Sequence, residues 1–257
     1  MNESYVVRSM YDYFKLAGKS AIVTGAGNGI GAGIAETLSS LGVNVVACDI
    51  DDEALTNTVR RLNEAGGTVT AVHCDIRSAE DIDRVIQTAQ AQYGGVDILV
   101  NNAAGCGGGK KLDDMNDAEW DRLIELNLTC VYRFIMRVLP VMRAKQSGKI
   151  VNISSGAAIT GDWSDPHYAA AKGGVISLGR ELAVELAKDH IYINTIAPGL
   201  IRTRMVLPWE SVEANNILVG RLGEPSDIGA TTAFLSSAAS DFFTGQVLCP
   251  NGGSWMY

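Results

Sequence analysis

The chain has 257 residues, of which 47% are apolar, so it can build one large buried core. Its 21 basic and 29 acidic residues give a net charge of −8, which argues against nucleic acids and acidic carrier proteins as partners. No apolar run is long enough to span a membrane and no secretory segment appears, so we expect a cytoplasmic protein without membrane association.

Residues 1–15 precede the first strand pattern and are longer than the rest of the chain needs. We expect them to form an extension that packs on the body of the protein or on a neighbouring subunit, through apolar residues such as Tyr13 and Phe14. Residues 16–257 are predicted to form a single dinucleotide-binding catalytic domain, because no linker or low-complexity tract divides them.

Segments rich in small and β-branched residues predict seven strands, with helical patterns between them. In chain order these segments are residues 20–24, 44–49, 68–74, 98–101, 149–153, 192–197 and 246–249. The alternation predicts an α/β fold: one doubly wound, Rossmann-type sheet of seven mostly parallel strands, with helices on both faces.

The first strand pattern runs into a glycine-rich loop and then into a helical pattern over residues 32–41. Glycines here let the backbone approach a pyrophosphate, and the helix N-terminus offers free N–H groups and a positive dipole end. The spacing is G-x-x-x-G-x-G rather than G-x-G-x-x-G. The predicted cofactor contacts in this loop are Gly25, Asn28, Gly29, Ile30 and Gly31.

The second strand pattern ends in Asp49, and Ile50 follows it. A carboxylate at this position accepts hydrogen bonds from the adenosine ribose hydroxyls and repels a 2′-phosphate. No Arg or Lys lies in the glycine loop or closely follows Asp49 to hold such a phosphate. The pattern therefore favours NAD over NADP; the alternative is that Asp49 only begins the next helix.

Tyr168 and Lys172 lie four residues apart in a helical pattern, on one face of that helix. A free phenol has a pKa of about 10, and an ammonium held beside it lowers that pKa by roughly one to three units. The pair therefore suits general acid–base chemistry. The alternative is an ordinary surface pair, since this spacing is common on helices.

Ser155 follows the fifth strand pattern, at the edge where doubly wound sheets place reactive groups. Asp165 at the cap and Pro166 at the first helical position predict a helix start, which puts Tyr168 in the first turn. Tyr168 and Ser155 are thus expected at the same edge of the sheet. Alternatively, Ser155 only finishes a strand.

Together these residues resemble the short-chain dehydrogenase/reductase family over about residues 16–253. The motif order adds to the resemblance: Asp75-Ile76, an Asn-Asn-Ala-Ala-Gly segment ending at Gly105, Asn127, Pro198-Gly199 with Thr203, and a final Asn251-Gly252-Gly253. Each motif is short, but their order and separations are specific. The resemblance implies a nicotinamide-dependent oxidoreductase.

By this resemblance, Tyr168 is the general acid–base and Ser155 hydrogen-bonds the substrate oxygen. Lys172 lowers the phenol pKa and binds the nicotinamide ribose, and Asn127 holds a water that connects Lys172 to solvent. Asn127 also lies on the edge of an apolar helical stripe, where a buried amide needs hydrogen-bond partners. The alternative is that Asn127 is a structural residue whose amide is satisfied by backbone groups alone. Besides Tyr168 and Lys172, the implied cofactor contacts are Asp75, Ile76, Asn102, Ala103, Ala104, Gly105, Pro198, Gly199, Ile201 and Thr203.

Three loops, residues 105–110, 157–165 and 205–219, are predicted to supply the substrate contacts. With Ser155 and Tyr168, these contacts are Trp163, Met205 and Trp209, which suit a cyclic or amphipathic secondary alcohol or ketone. Polyols or sugar acids, hydroxysteroids and 3-oxoacyl thioesters stay open as alternatives. A different class is a non-catalytic NAD sensor, although binding alone needs no acid–base phenol.

The three histidines are dispersed and the five cysteines show no C-x-x-C pair, so we expect neither a metal site nor a disulfide. Helical patterns over residues 117–143 and 166–189 are similar to those that form four-helix interfaces in such proteins, which implies a homotetramer. The second pattern carries apolar residues, among them Val175 and Ile176, that one sheet is not expected to cover. The tail from Trp255 is expected near a subunit boundary.

Overall fold

The strands of the structure, a computed structural model, form one parallel sheet in the part of the chain described: residues 9–106, 113, 115–161, 165–204, 206 and 217–256. They are Ser20–Thr24 (β1), Asn44–Asp49 (β2), Thr68–His73 (β3), Ile98–Asn101 (β4), Gly148–Ile153 (β5), Ile191–Ile196 (β6) and Val247–Leu248 (β7). The strand order is β3-β2-β1-β4-β5-β6-β7. The predicted fold class is confirmed, and every described strand pair is parallel.

The edge strand β7 is shorter than predicted, with two residues instead of residues 246–249. Pro250 follows closely, and proline has no N–H with which to extend a ladder. The chain nevertheless stays beside β6, because the Gly199 N–H donates to the Pro250 carbonyl at 3.1 Å.

Helices cover both faces of the sheet. They are Met10–Phe14 (α1), Gly29–Ser40 (α2), Asp52–Glu64 (α3), Ala79–Tyr93 (α4), Asp117–Ile124 (α5), Cys130–Lys145 (α6), Ala157–Thr160 (α7), Pro166–Leu186 (α8) and Pro225–Ser236 (α9). The helix after the glycine loop begins at Gly29, three residues before the predicted start. Among the described residues, no helix has the length and apolar character needed to cross a membrane.

Alternate strand residues enter two separate cores, as the pleat of a sheet requires. Ile22 and Leu99 join the core under α4, α6 and α8, whereas Val23 and Val100 join the core under α2, α3 and α9. Val175 and Ile176 are buried within this one chain, so the prediction that they stay uncovered is wrong. Burial between two layers of helix accounts for the strongly apolar strands.

The predicted continuous helix over residues 117–143 is interrupted. Glu125–Thr129 forms a single π-helical turn between α5 and α6, in which the Cys130 N–H donates to the Glu125 carbonyl. Such a turn inserts one residue into a helix and changes the angular phase of the side chains that follow, which a helical apolar pattern alone does not locate. The turn moves Asn127 from the edge of the stripe to full burial.

The described part of the predicted N-terminal extension lies against the body. The Phe14 ring is 6.5 Å from the Phe234 ring on α9, and Phe234 meets Phe243 edge-on at 5.2 Å. Ser9 caps α1 and exchanges hydrogen bonds with Asp12. Residues 1–8 lie outside the described part of the chain, as do Trp163, Met205 and Trp209.

Candidate active site

The order of strands reverses between β1 and β4, which opens a crevice at the carboxyl ends of the strands. The glycine loop follows β1, the segment from Asn102 follows β4, and Ser155 follows β5. Asp49 ends β2, and Pro198 comes shortly after β6. The topology therefore brings the predicted site residues of the described chain to one edge of the sheet.

The glycine loop sits tightly on this edge. Gly25 has a φ of 66°, and a Cβ there would lie 2.8 Å from the Cα of Ala103. A Cβ at Gly31 would lie 2.0 Å from the Gly25 carbonyl oxygen, so no side chain fits at that position. Asn28 caps α2 without a side-chain hydrogen bond to the helix, and Ile30 packs towards the core. The loop can thus present backbone N–H groups to a phosphate.

Thr24 joins the glycine loop to the segment after β4. Its hydroxyl oxygen accepts hydrogen bonds from the backbone N–H groups of Asn102 and Ala103, each at 3.0 Å. The Asn102 side chain donates to the carbonyls of Thr24 at 2.9 Å and Gly25 at 3.1 Å. Asn102 therefore shapes the loop through its side chain. The sequence analysis missed Thr24, although a hydroxyl at a strand end beside a glycine loop is a usable signal.

Asp49 holds the loop on its other side. Its Oδ2 accepts from the Gly27 N–H at 2.8 Å, and its Oδ1 accepts from the Asp51 N–H at 3.0 Å. The side-chain cap of α3 is Asp51, not Asp49. The half-buried Asp49 carboxylate lies over the glycine loop, and Ile50 beside it is exposed. At this position the carboxylate can accept hydrogen bonds from ribose hydroxyls in addition to those from its two backbone N–H partners.

Asp75 and Ile76 stand after β3, at the outer part of the crevice. The Arg77 guanidinium bonds the Asp75 carboxylate at 2.6 Å and lowers its pKa. Ile76 is buried. Both carboxylate oxygens of Asp75 already accept hydrogen bonds from Arg77. Any contact of Asp75 with the base of a nucleotide would therefore use an oxygen that it shares with Arg77.

Tyr168 and Ser155 meet at the edge, as predicted. A hydrogen bond with Ser155 lowers the pKa of the Tyr168 phenol, but burial raises it, and the burial effect is the larger. The charges of Cys106 and Asp165 also raise it. The net direction is opposite to the sequence prediction, because the phenolate is desolvated and the Lys172 ammonium lies 5.7 Å from the centre of the ring.

Lys172 lies behind the phenol, buried at 1% exposure. Its Nζ donates to the Ile153 carbonyl at 2.8 Å, and its own carbonyl accepts from the Ser154 hydroxyl at 2.8 Å. These two bonds fasten the end of β5 to α8. Burial lowers the pKa of Lys172 to about 8, so the amine is mostly charged at neutral pH and loses its proton in the mildly alkaline range.

Asn127 binds the segment after β4. Its Oδ1 accepts from the Gly105 N–H at 3.2 Å, and its Nδ2 donates to the carbonyls of Gly105 at 2.9 Å and Leu123 at 3.0 Å. These partners are all backbone, which is the alternative that the sequence left open. Its role in ordering a water beside Lys172 stays a prediction. The exposed Ala104 precedes this clamp.

The loop after β6 closes the site from the opposite side. Pro198 is buried, and a Cβ at Gly199 would lie 2.7 Å from Asn251, so the loop is pressed against the C-terminal turn. Ile201 is buried and pairs with Gly223. The Thr203 methyl would lie 3.4 Å from a Cβ at Gly29. The two predicted cofactor loops are thus neighbours.

Asp165 begins α8 but makes no side-chain hydrogen bond to the helix backbone, unlike the predicted cap. Its carboxylate instead lies against Nδ1 of His167, which is completely buried. This pair stands directly before Tyr168, and sequence reasoning missed it. Pro166, with its fixed φ, is sufficient to start the helix.

We expect Asp165→Asn to lower the pKa of Tyr168, because the charge of Asp165 raises it and the amide keeps the shape of the side chain. Ser155→Ala should shift it in the opposite direction, since the lost hydrogen bond lowers that pKa. The measurement is the absorbance of each protein as it is titrated to alkaline pH. The curve of the same protein carrying Tyr168→Phe is subtracted, so that the difference reports Tyr168. Shifts of the same sign would contradict the assignment.

The described residues contain no group of three or more His, Cys, Asp or Glu side chains suited to a metal ion. The five cysteines are free thiols. Cys106 is exposed beside the site, while Cys48, Cys74 and Cys130 are buried.

Comparisons with known proteins agree with this geometry. A family model described as Enoyl-(Acyl carrier protein) reductase matches residues 25–254. The 3-oxoacyl-(acyl-carrier-protein) reductase FabG of Vibrio cholerae is 36% identical, over 94% of this chain and 99% of that protein. The 7alpha-hydroxysteroid dehydrogenase of Escherichia coli K12 is 37% identical, over 94% and 96% of the two chains.

Solved structures show the same fold. A short-chain type dehydrogenase/reductase from Mycobacterium marinum has a TM-score of 0.91 at 29% identity, covering 97% of this chain and all of that one. A 7 alpha-hydroxysteroid dehydrogenase complexed with NADH and 7-oxo glycochenodeoxycholic acid has a TM-score of 0.89 at 36% identity, covering 96% and 98%. The sequence matches and the fold together show that this chain belongs to the short-chain dehydrogenase/reductase family.

Proposed function

We propose that this protein is an NAD-dependent oxidoreductase that interconverts a secondary alcohol and a ketone. The observation that carries the proposal is the hydrogen-bonded pair of Tyr168 and Ser155 at the strand-order reversal, with Lys172 buried behind it. Binding a nucleotide without turnover, as a sensor would, needs no acid–base phenol and no serine hydroxyl hydrogen-bonded to it. Their joint placement favours catalysis.

The residues supply proton transfer and charge stabilisation. In reduction, the Tyr168 hydroxyl gives its proton to the substrate oxygen, and the Ser155 hydroxyl donates a hydrogen bond to that oxygen as charge develops. In oxidation, the Tyr168 oxygen takes the hydroxyl proton of the alcohol. The nicotinamide cofactor, when bound, supplies or accepts the hydride.

The raised pKa of Tyr168 sets the pH dependence of the two directions. A phenol that keeps its proton at neutral pH is ready to act as an acid, so reduction should proceed well there. Oxidation needs the phenolate and should therefore become faster as the pH rises towards the pKa of Tyr168.

Residues from three parts of the crevice would hold NAD. The glycine loop would hold the pyrophosphate, Asp49 at the end of β2 the adenosine ribose, and Tyr168 with Lys172 on α8 the nicotinamide ribose. The tight glycine turn at Gly31 and the half-buried carboxylate beside Gly27 support this assignment. No described Arg or Lys contacts Asp49 to offer a 2′-phosphate a partner.

We expect Asp49→Asn to reduce the preference for NAD over NADP by about tenfold or more, because a charged acceptor for the ribose hydroxyls is worth roughly 1.5–3 kcal/mol. The amide keeps an oxygen for the Gly27 N–H, whereas Asp49→Ala loses both backbone bonds of the carboxylate. The measurement is the ratio of kcat/KM for the two cofactors.

Thermal unfolding of the same variants provides the control for this prediction. Asp49→Asn should unfold at a temperature between those of the wild type and Asp49→Ala, because the amide keeps one acceptor, for the Gly27 N–H, whereas alanine leaves both the Gly27 and Asp51 N–H groups without theirs. A cofactor ratio that stays at the wild-type value in Asp49→Asn would remove Asp49 from its proposed role.

We infer that the substrate is a cyclic or amphipathic secondary alcohol or ketone. The similar proteins include a 3-oxoacyl-(acyl-carrier-protein) reductase and a 7alpha-hydroxysteroid dehydrogenase. Hydroxysteroids and 3-oxoacyl thioesters are therefore two substrate classes to test. The net charge of −8 and Asp49 disfavour an acidic carrier with NADP. NADH absorbance with cyclic alcohols, polyols, hydroxysteroids and 3-oxoacyl thioesters, each with the matching ketone where one exists, separates these classes. Tight NADH binding without turnover of any of them would favour the sensor.

We also propose a cytoplasmic homotetramer. Free buried thiols such as Cys48 and Cys74 suit a reducing compartment. The exposed apolar side chains of Trp120 on α5 and of Tyr132 and Met136 on α6 offer a surface for a second copy. Light scattering of the purified protein measures the assembly.

A further inference from the structure

The C-terminal tail folds back on itself in a turn held by Asn251. The Asn251 Nδ2 donates to the Trp255 carbonyl at 2.8 Å, and its Oδ1 accepts from the Gly253 N–H at 2.8 Å. The Ser254 hydroxyl donates to the Asn251 carbonyl at 2.7 Å. These bonds fix the direction in which the half-buried Trp255 side chain leaves the turn.

The indole of Trp255 lies against Gly156. A Cβ built on Gly156 would lie 3.1 Å from the indole Nε1 and 3.3 Å from Cζ2. The same Cβ would lie 3.3 Å from the Pro198 carbonyl oxygen, which accepts from the Gly156 N–H at 2.9 Å. The space beside Gly156 is therefore filled by the indole and by the Pro198 carbonyl of the loop after β6.

Gly156 directly follows Ser155, the partner of Tyr168. The Ser155 Oγ accepts from the Ala157 N–H at 3.2 Å, so its position depends on the backbone of this turn. A shift of Gly156 would move the adjacent Ser155 and its hydroxyl. The indole packs on Gly156, so its removal would take away one contact that holds this turn.

We propose that Trp255 is a positioning residue for Ser155: by packing on Gly156, its indole holds the catalytic hydroxyl in register with Tyr168. This inference rests on the proposed function. The sequence predicts only that this tail lies near a subunit boundary, and the structure adds that the indole packs on Gly156 of its own chain.

The test is a double-mutant cycle of Trp255→Ala and Gly156→Ala. Trp255→Ala should lower kcat by roughly ten- to a hundredfold with NADH binding unchanged, because small misplacements of reacting groups have effects of this size. Trp255→Phe should keep most of the activity. Gly156→Ala should lower kcat by a smaller factor in Trp255→Ala than in the wild type, because the new methyl then meets only the Pro198 carbonyl and no longer the indole. Phe242→Ala is the control for loss of an aromatic ring, because this ring is fully exposed, and it should retain wild-type kcat.

A second readout does not need turnover. The bond from Ser155 lowers the pKa of Tyr168, so Trp255→Ala should make Tyr168 titrate at higher pH, measured against the corresponding Tyr168→Phe proteins. If the wild type turns over no substrate, the proposed function fails and this titration alone tests the positioning role. The inference is overturned if Tyr168 titrates at the same pH in Trp255→Ala as in the wild type. It is also overturned if the separate effects of Trp255→Ala and Gly156→Ala on kcat simply multiply in the double variant.

Discussion

Tyr168→Phe should lower kcat/KM for both directions by about a hundredfold to ten-thousandfold, the range that a positioned acid–base contributes. The substitution removes one oxygen and keeps the ring, so the packing of Lys172 against that ring should survive. NADH affinity should stay near the wild-type value, because the glycine loop and Asp49 are untouched. The measurements are steady-state kinetics and a fluorescence titration with NADH.

Tyr192→Phe is the matched control for this prediction. The Tyr192 ring also has a lysine over it, with the Lys149 Nζ 4.7 Å from its centre, but it lies on β6 away from the crevice. Its loss of a hydroxyl should leave turnover at the wild-type level. Equal turnover by Tyr168→Phe and Tyr192→Phe would contradict the assignment of Tyr168.

Lys172→Met should lower kcat by about a hundredfold or more. It should also change how the free energy of unfolding depends on pH. The folded-state pKa of Lys172 is about 8 against an ordinary 10.5, so the unfolded state binds the proton more tightly. The wild type therefore loses stability as the pH falls from 10.5 to 8, by an order-of-magnitude 3 kcal/mol. The free energy of unfolding of Lys172→Met, compared with that of the wild type, should therefore be highest below pH 8. This difference should decrease as the pH rises from 8 to 10.5.

Thermal unfolding at a series of pH values measures this difference, which should span several degrees for a chain of this size. Loss of the bond to the Ile153 carbonyl shifts the whole curve but not its slope. Lys188→Met is the control, because the Lys188 side chain is exposed and its ammonium stays hydrated in the folded protein. It should show no comparable gain at neutral pH. A difference between Lys172→Met and wild type that is independent of pH would show that the amine is not desolvated.

Local patterns made much of the fold predictable. The strands β1, β2 and β4 have the predicted bounds, since buried parallel strands are short apolar runs with clear ends. Tyr168 and Lys172 share a helix face because their spacing is one helical turn. The glycine loop carries its own conformational requirement at Gly25, whose φ of 66° suits glycine.

Other features depend on contacts that short-range patterns do not encode. The π turn over Glu125–Thr129 inserts one residue between α5 and α6, and the apolar spacing of the sequence does not mark where it occurs. The direction of the pKa shift of Tyr168 depends on how much burial opposes its hydrogen bond with Ser155, which only the packed structure defines. Trp255 and Gly156 are far apart in the chain, and their contact requires the whole sheet between them.

The central claim is that the crevice transfers a hydride between NADH and a ketone while Tyr168 supplies the proton. The most direct measurement uses NADH that carries deuterium on the transferred side of nicotinamide C4, with mass spectrometry of the alcohol product. The account predicts one deuterium on the carbinol carbon for each NADH consumed by the wild type, and almost no product from Tyr168→Phe with NADH bound. An alcohol without deuterium, or product formed equally by both proteins, would contradict it.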